Sequence, residues 1–360
     1  MTPNRTEAPV EWSAKQIVQA FIQGANLAAA DELACSFLEE LVSGFEASPK
    51  EARRAMRKLL MHNPLRFFVC ACRMLKSQTD TPGCEYLAKL LLEGDLLQSS
   101  LADPQLFSIQ VAINLAQTYV RLDPLLDFKL MQMLFRGERN GDGEIDAARA
   151  QRVLDLVAIL PRHTRILPLL LKLLRYSNPR LRSKAVLLFC QISKNPQWAE
   201  RQLADEDPWV RASAIEGLWG NQAPGARAVL RDAAQDSDHR VAANALVGLF
   251  LLDGPAVAPQ LQEMAAHPSP AFRSAGAYAM GETYSEEFIP VLNSMVKDYN
   301  ANVRCAALRA LVRIRKTKAA REAEIHAAVP AGGPSDAPAA AQAADGLPEP
   351  QTEAPVAPAE

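Results

Sequence analysis

The histidines and cysteines of this 360-residue chain form no pattern that would bind a metal or support catalysis. None of the five histidines is followed by glutamate, so the HExxH motif of zinc proteases is absent. The six cysteines form no CxxC pair, and Cys70 and Cys72 would point to different sides of a helix. GxSxG, Walker and GxGxxG motifs are absent as well. We therefore predict no catalytic, cofactor-binding or metal-binding residues and no cofactor.

A polar segment at residues 138–149 has some features of a calcium-binding loop. Asn140 and Asp142 lie where an EF-hand supplies ligands, and Gly143 lies at the turn. The last position is Arg149, however, whereas a calcium loop needs a bidentate glutamate there. The sequence therefore favours a polar turn between two helices over a metal site.

Tryptophan, tyrosine and arginine residues recur at related positions in the C-terminal half. The spacing from Trp209 to Arg240 is 31, and the spacing from Tyr278 to Arg309 is the same. Glu216 precedes Tyr278 by twice that spacing. Trp, Tyr and Arg are enriched at the centres of protein–protein interfaces. These residues can share one surface only if the elements that carry them repeat with a period of 31.

The chain contains such a repeat, in five segments that begin at Asn178, Asp207, Asp238, Ser269 and Asn300. The last four follow one another at a constant interval of 31, and the first precedes them by 29. Every one of these first residues is a favoured helix N-cap, and proline, which suits the first helical position, follows three of them. The pattern predicts that a helix begins at the same place in each unit.

Each predicted helix has one apolar face on which large and small residues alternate. A large residue such as Val210 or Val241 is followed four positions later by a small one, here Ala214 or Ala245. Another amphipathic segment precedes each helix, and turns containing glycine or proline separate the units. A single helical hairpin cannot bury its apolar face. We therefore predict an all-α fold, an α-solenoid of stacked antiparallel helical hairpins with a period of 31.

Residues 207–214, with the sequence DPWVRASA, resemble the second helix of HEAT repeats, and the resemblance extends over roughly residues 165–316. The short period is similar to that of HEAT-like repeats of the phycobilisome-lyase type. The resemblance implies that one arginine per repeat forms a structural ladder with nearby acidic side chains or carbonyl groups. The arginines at that position are Arg182, Arg211, Arg273 and Arg304, and Ala242 interrupts the column. A row of arginines that binds anions is the alternative.

The remaining segments are predicted to flank the repeat array, which we place at residues 161–318. Residues 1–14 are predicted to be a flexible N-terminus, and residues 15–160 an irregular helical region of degenerate repeats. In this region Asn63 and Asp103, each followed by proline, are predicted to begin helices. Residues 319–360 are rich in alanine, proline and acidic residues, and we predict that they are disordered.

The charge and hydropathy of the chain indicate the class of partner. Without residues 321–360 the chain has 38 basic and 34 acidic residues, a smaller and less clustered excess than nucleic-acid binders show. No apolar run reaches the roughly 18 residues of a membrane span, and the N-terminus shows no signal-peptide pattern. Scattered cysteines are typical of a reducing compartment. We expect a cytoplasmic protein that binds another protein, with nucleic acid and membrane disfavoured.

The function that these observations favour is a non-catalytic protein-binding scaffold. In HEAT-like arrays the second helices line the concave face, so the predicted partner-binding residues are Trp209, Glu216, Arg240, Tyr278 and Arg309. Trp209 and Tyr278 could instead only seal gaps between repeats. The resemblance leaves two enzymatic alternatives, a lyase acting on a prosthetic group and a DNA-binding, glycosylase-like protein. The absence of any His-Glu pair argues against the HEAT-repeat iron hydroxylases.

Overall fold

The computed structural model describes residues 30–77, 80–135, 145–161 and 163–328. Over these residues the chain folds into helices joined by turns, and none of them lies in a strand. Residues Met1–Ile314 form one compact unit, and Arg315–Glu360 form a second. The predicted all-α fold of repeated helical hairpins is confirmed. The predicted flexible N-terminus and the tail from residue 329 onward lie outside the described residues.

The described part of the N-terminal half consists of short helices. They are α1 (Ala30–Ser43), α2 (Pro49–His62), α3 (Pro64–Ser77), α4 (Pro82–Glu93), α5 (Leu96–Ala102), α6 (Ile109–Tyr119), α7 (Leu126–Phe135) and α8 (Ala147–Ile159). Asn63 holds the start of α3 as predicted, because its Oδ1 accepts from the backbone N–H of Arg66 at 3.0 Å.

The predicted helix start at Asp103 is wrong. The Asp103 carboxylate does accept from the backbone N–H of Gln105 at 2.9 Å, but residues 104–107 form a turn, and α6 begins only at Ile109. The buried Arg152 of α8 explains the difference, since its guanidinium donates to the carbonyl oxygens of Leu101 at 2.6 Å and Phe107 at 2.8 Å. These bonds keep residues 103–108 in a loop instead of a helix.

The C-terminal half consists of paired helices, each pair a short first helix and a second helix. The pairs are α9 (Leu167–Leu173) with α10 (Pro179–Ser193), α11 (Pro196–Gln202) with α12 (Pro208–Glu216), α13 (Ala226–Ala233) with α14 (His239–Asp253), α15 (Ala258–Ala265) with α16 (Pro270–Glu282), and α17 (Ile289–Met295) with α18 (Ala301–Ala328). The second helices α10, α12, α14 and α16 lie side by side in chain order, and Ala310 of α18 packs closely on Gly281 of α16.

Most of the predicted N-caps hold their helices through the side chain. The side-chain oxygen accepts from the backbone N–H two residues later at 2.8–3.0 Å in Asn178, Asp207, Asp238 and Asn300. Ser269 lies at the N-cap position of α16, but its side chain makes no capping hydrogen bond.

Small residues allow the second helices to approach closely. A Cβ atom added to Gly217 would lie 2.3 Å from the Cβ of Cys190 on α10. The helix α10 contributes to two apolar clusters, because Leu181 and Leu188 pack with the N-terminal half and Val186 and Cys190 pack with the following repeats. The helix α10 therefore connects the apolar cluster of the N-terminal half with that of the later repeats within the unit Met1–Ile314.

The last helix is longer than the predicted repeat. α18 has 28 residues and ends at Ala328, beyond the end of the predicted array at residue 318. Residues 315–328 are rich in alanine, lysine, arginine and glutamate, which are strong helix formers. The first part of the predicted disordered segment, residues 319–328, is therefore helical.

The segment His239–Ala265 is long and apolar enough, by composition alone, to cross a membrane. In the structure it consists of α14, a turn at Gly254 with φ of 64°, and α15. Of its most apolar window, 67% is buried inside the protein. Burial of this kind is characteristic of a core hairpin in a helical array.

Candidate functional site

A groove of about 1480 Å³ runs across the second helices α10, α12, α14, α16 and α18. All five residues predicted to bind a partner line this groove: Trp209, Glu216, Arg240, Tyr278 and Arg309. The period of 31 places them on neighbouring helices at equivalent positions. One member of the same column, Val247, does not reach the groove, because its side chain is completely buried.

Trp209 and Arg240 contact each other in the groove. The guanidinium carbon of Arg240 lies 4.3 Å from the centre of the Trp209 ring, which is a cation–π contact. A carboxylate oxygen of Asp238 also lies 3.6 Å from the Arg240 guanidinium. The Trp209 side chain nevertheless remains 55% exposed. The pair therefore presents a large aromatic surface whose orientation is fixed by its neighbour.

A second aromatic residue, Tyr278, lies beside a pair of opposite charges. Arg313 of α18 donates to the Glu282 carboxylate of α16, and its guanidinium carbon lies 5.8 Å from the centre of the Tyr278 ring. Burial, together with the carboxylates of Glu282 and Glu216, raises the pKa of Tyr278, so the phenol stays protonated. Arg313 was not predicted, although it occupies the same repeat position as Glu282, one period later.

Glu216 is the one carboxylate among the described residues that line the groove. Burial is the main cause that raises its pKa, and the neighbouring charge of Glu282 adds to the effect. Lys184 acts in the opposite direction, but its ammonium group is bound to Asp155 at 2.6 Å. The groove floor therefore holds a carboxyl group that gains a proton more readily than a solvated glutamate does.

Basic side chains predominate along the groove walls. They are Arg180, Lys184, Arg240, Arg309 and Arg313. Lys184 is paired with Asp155 and Arg313 with Glu282, whereas Arg180 and Arg309 are exposed and have no side-chain partner among the described residues. The groove therefore has an excess of positive charge, with aromatic surface between its two unpaired arginines.

Outside the groove the main polar cluster is built around Asp127 of α7. This carboxylate is buried, and its oxygens lie 3.0 Å from Nδ1 of His163 and 3.6 Å from Nε of Arg165. The cluster joins α7 to the turn before α9. Within the part of the chain that the structure describes, no three His, Cys, Asp or Glu residues are placed to hold a metal ion.

Comparison with known families agrees with this architecture. The family described as HEAT repeats matches residues 195–270 and 258–329, and the family described as HEAT repeat matches residues 166–195. Together the matches cover residues 166–329 and support HEAT repeats in this segment. The matches do not distinguish the phycobilisome-lyase type, which stays a prediction. No curated protein matches the chain.

Among solved structures, human deoxyhypusine hydroxylase in complex with glycerol is similar over 80% of this chain and 98% of that chain. The sequence identity is 14% and the TM-score is 0.29. A similarity at this level supports no inference about the activity of this chain.

The arginine column of the HEAT repeats lies away from the groove, at the turn between the two helices of each repeat. Arg211 donates from Nη1 to the carbonyl oxygens of Asp205 and Glu206, at 3.1 and 3.3 Å, and forms two 3.0 Å bonds with Asp236 of the next repeat. Arg273 binds Asp298 in the same way, at 2.7 and 3.0 Å. Each of these pairs joins residues 25 positions apart.

The two outer arginines of the column make part of the same set of contacts. Arg182 donates to the carbonyl oxygen of Ser177 at 3.0 Å and lies 3.8 Å from the Asp205 carboxylate. Arg304 donates to the carbonyl oxygens of Asp298 and Tyr299 at 2.9 and 3.0 Å. These guanidinium groups bond to the protein itself, an arrangement that favours the structural ladder over an anion-binding row.

The aspartates that pair with these arginines form a column of their own, which sequence analysis missed. This column also has an interruption, at the position that would face Ala242. Asp236 and Asp298 each precede an N-cap by two residues, and His267 occupies the equivalent position between them. His267 accepts from the backbone N–H of Ser269 at 3.0 Å, as Asp236 does from Asp238 at 2.7 Å, and its ring stacks on Phe272 at 4.3 Å. Where the arginine is absent, the residue equivalent to the aspartate therefore contacts a ring of its own repeat instead of a guanidinium of the preceding repeat.

Proposed function

We propose that this protein is a non-catalytic scaffold whose groove binds another protein. The observation that carries the proposal is the exposed aromatic surface of Trp209, held against Arg240 in a groove that crosses five consecutive second helices. Large aromatic and arginine side chains contribute most of the binding energy at many protein interfaces. A side chain fixed before binding also loses less conformational entropy when the partner arrives.

The two other tryptophans that the structure describes support a distinct role for Trp209. Trp219 is partly buried and donates from its indole N–H to the carbonyl oxygen of Asn244 at 2.8 Å. Trp198 is also partly buried, and its ring lies 4.0 Å from that of Phe189. These two side chains fill space between helices. Trp209 is 55% exposed, which favours a binding role over a sealing role.

The test begins with capture of partners from the source organism on the immobilised full chain. The captured protein is identified, purified and titrated against wild type and the Trp209→Ala variant. Because interface hot spots contribute about 2 kcal/mol or more, we expect the affinity to fall by about 30-fold. Met61→Ala is the control, because Met61 is 78% exposed and lies in the N-terminal half.

Unchanged affinity for both Trp209→Ala and Arg309→Glu, with the helical circular dichroism signal preserved, would contradict the proposal. The lyase-like alternative makes a different prediction, since the purified protein would then retain a pigment or another prosthetic group after co-expression with the biosynthetic enzymes. Absorption spectra of the purified chain distinguish the two.

A further inference from the structure

The charges of the groove are unequally distributed between its middle and its ends. Lys184, Arg240 and Arg313 are each close to a carboxylate of the protein, at Asp155, Asp238 and Glu282 respectively. Arg180 and Arg309 are exposed and have no such partner among the described residues. They lie on α10 and α18, the first and last of the five second helices that line the groove. Two uncompensated positive charges therefore mark its two ends.

The distance between these ends suits a short extended peptide. Five neighbouring helices packed about 9 Å apart span about 36 Å, which an extended chain covers with about eleven residues. Between the ends, the exposed faces of Trp209 and Tyr278 provide aromatic surface. Such surface favours contact with an apolar, aromatic or proline side chain.

We propose that the groove binds an extended acidic segment of the partner protein, with carboxylates near both ends and an apolar or aromatic side chain between them. Arg180 and Arg309 bind the carboxylates, and Trp209 and Tyr278 contact the central side chain. This inference rests on the proposed scaffold function and names the chemistry of the partner.

A nucleic acid fits these observations less well. Binding of nucleic acid depends on neutralising several phosphates with lysine and arginine side chains. Here three of the five basic side chains lie beside protein carboxylates. The Glu216 carboxyl group also lines the groove, where a continuous phosphate backbone would pass. Two free arginines match a segment with a few carboxylates better than a polyanion.

The experiment uses the full chain as bait for a displayed library of random peptides about twelve residues long. We expect the selected peptides to be net acidic, with Asp or Glu near both ends and an apolar residue between them. Selected peptides are then synthesised with a fluorescent label, next to matched copies that carry Asn for Asp and Gln for Glu. We expect the neutral copies to bind at least about tenfold more weakly, and the acidic peptides to weaken as salt rises.

The variants Arg180→Glu and Arg309→Glu test the ends of the groove. Each is expected to weaken the acidic peptide by about tenfold, and a peptide with lysine at the matching end is expected to regain affinity for the variant. Arg231→Glu is the control, because Arg231 is exposed on α13 and does not line the groove. Folding of every variant is checked by circular dichroism.

Several results would overturn the inference: selection of neutral or basic peptides, no selection at all, or equal binding by the Gln and Asn copies. Tighter binding of labelled single-stranded or duplex DNA than of the acidic peptides, with a steep salt dependence, would also overturn it in favour of nucleic acid. If acidic peptides fail but a captured partner still depends on Trp209, the scaffold function stands and only this inference is lost.

Discussion

At the scale of single residues, the charge of the groove depends on which neighbours surround a few polar side chains. Glu216 is the described lining residue with a negative charge, and its neighbours include Glu282 and Lys184. Arg240 lies against both an indole ring and a carboxylate. Most of these neighbours belong to different repeats, so a substitution at one of them also tests the register of the array.

The first prediction concerns Glu216→Gln. The raised pKa of Glu216, caused mainly by burial, means that the folded protein holds this proton more tightly than the unfolded chain does. The free energy of unfolding contributed by this group therefore falls as pH rises above its ordinary value of 4.5. We expect Glu216→Gln to gain stability relative to wild type at neutral pH and not below pH 4.5.

Urea unfolding followed by circular dichroism over a series of pH values measures this difference. Glu263→Gln is the matched control, because Glu263 is exposed on α15 and lies outside the groove. The expectation fails if Glu216→Gln follows the pH dependence of wild type at every pH.

The second prediction concerns the ion pair of Arg273 and Asp298. Hydrogen bonds from the Arg273 guanidinium lower the pKa of Asp298 below its ordinary value of 3.8. The pair therefore contributes stability above that value, and the contribution is lost as pH falls through the lowered pKa. Asp298→Asn keeps an oxygen for the backbone N–H of Asn300, now bound at 2.8 Å, but loses the negative charge.

We expect Asp298→Asn to lower the urea midpoint at neutral pH and to approach wild type in acid, where wild-type Asp298 is protonated. Asp298→Ala is expected to be less stable than Asp298→Asn, because it also loses the backbone bond. A difference from wild type that is the same at neutral and acid pH would show that the ion pair does not contribute.

At the scale of helices, the approach between neighbouring second helices depends on which atoms face each small residue. A Cβ on Gly217 would meet the Cβ of Cys190 at 2.3 Å and the carbonyl oxygen of Leu187 at 3.1 Å. A Cβ on Gly248 would meet the end of the Leu230 side chain at 2.7 Å. The backbone of α10 cannot move without shifting the repeat, whereas a leucine methyl group can.

We therefore expect Gly217→Ala to destabilise the protein by about 1–3 kcal/mol. Gly248→Ala is expected to cost much less, because alanine favours the helix over glycine by about 1 kcal/mol and offsets the local crowding. Denaturant unfolding of the two variants measures the difference. Equal losses of stability in the two variants would show that close contact at Gly217 does not restrict the side chain there.

The end of the array provides a second comparison between equivalent positions. Ile215, Leu246 and Ala277 are buried, whereas Leu308 at the same position in the last repeat is 49% exposed. We expect Ile215→Ala to cost about 2–5 kcal/mol, because it leaves a cavity. Leu308→Ala is expected to cost about 1 kcal/mol or less. A comparable cost for both would show that Leu308 is covered in solution.

At the scale of the whole molecule, the repeats depend on the N-terminal half. Leu181 and Leu188 of α10 are buried among residues of that half, while Val186 and Cys190 belong to the cluster of the later repeats. A fragment that begins at residue 161 would expose one apolar side of α10 to water. Repeat arrays need a polar cap at their ends for solubility, and this fragment lacks one.

We expect such a fragment to unfold at a lower temperature than the full chain and to aggregate at concentrations at which the full chain stays monodisperse. Thermal unfolding by circular dichroism and light scattering of both proteins test this. An unchanged midpoint would show that the two halves are thermodynamically independent domains.

Local chemistry determined the fold class and the positions of the repeats. The side-chain oxygens of Asn178, Asp207, Asp238 and Asn300 bond to the first turn of their own helix, so sequence alone can identify them. The period of 31 also placed Trp209, Arg240, Tyr278 and Arg309 on one surface, because stacking of equal units brings equal positions together.

Only the tertiary structure decided which side chains at these positions contact one another and which charges have a partner of opposite sign. The contact of Arg240 with Trp209 and the bond from Arg313 to Glu282 each join different repeats. The loop after Asp103 has the same kind of cause, since Arg152 reaches it from 45 residues away to hold the Phe107 carbonyl. Contacts between residues far apart in the chain depend on the packed geometry, which local propensities do not contain.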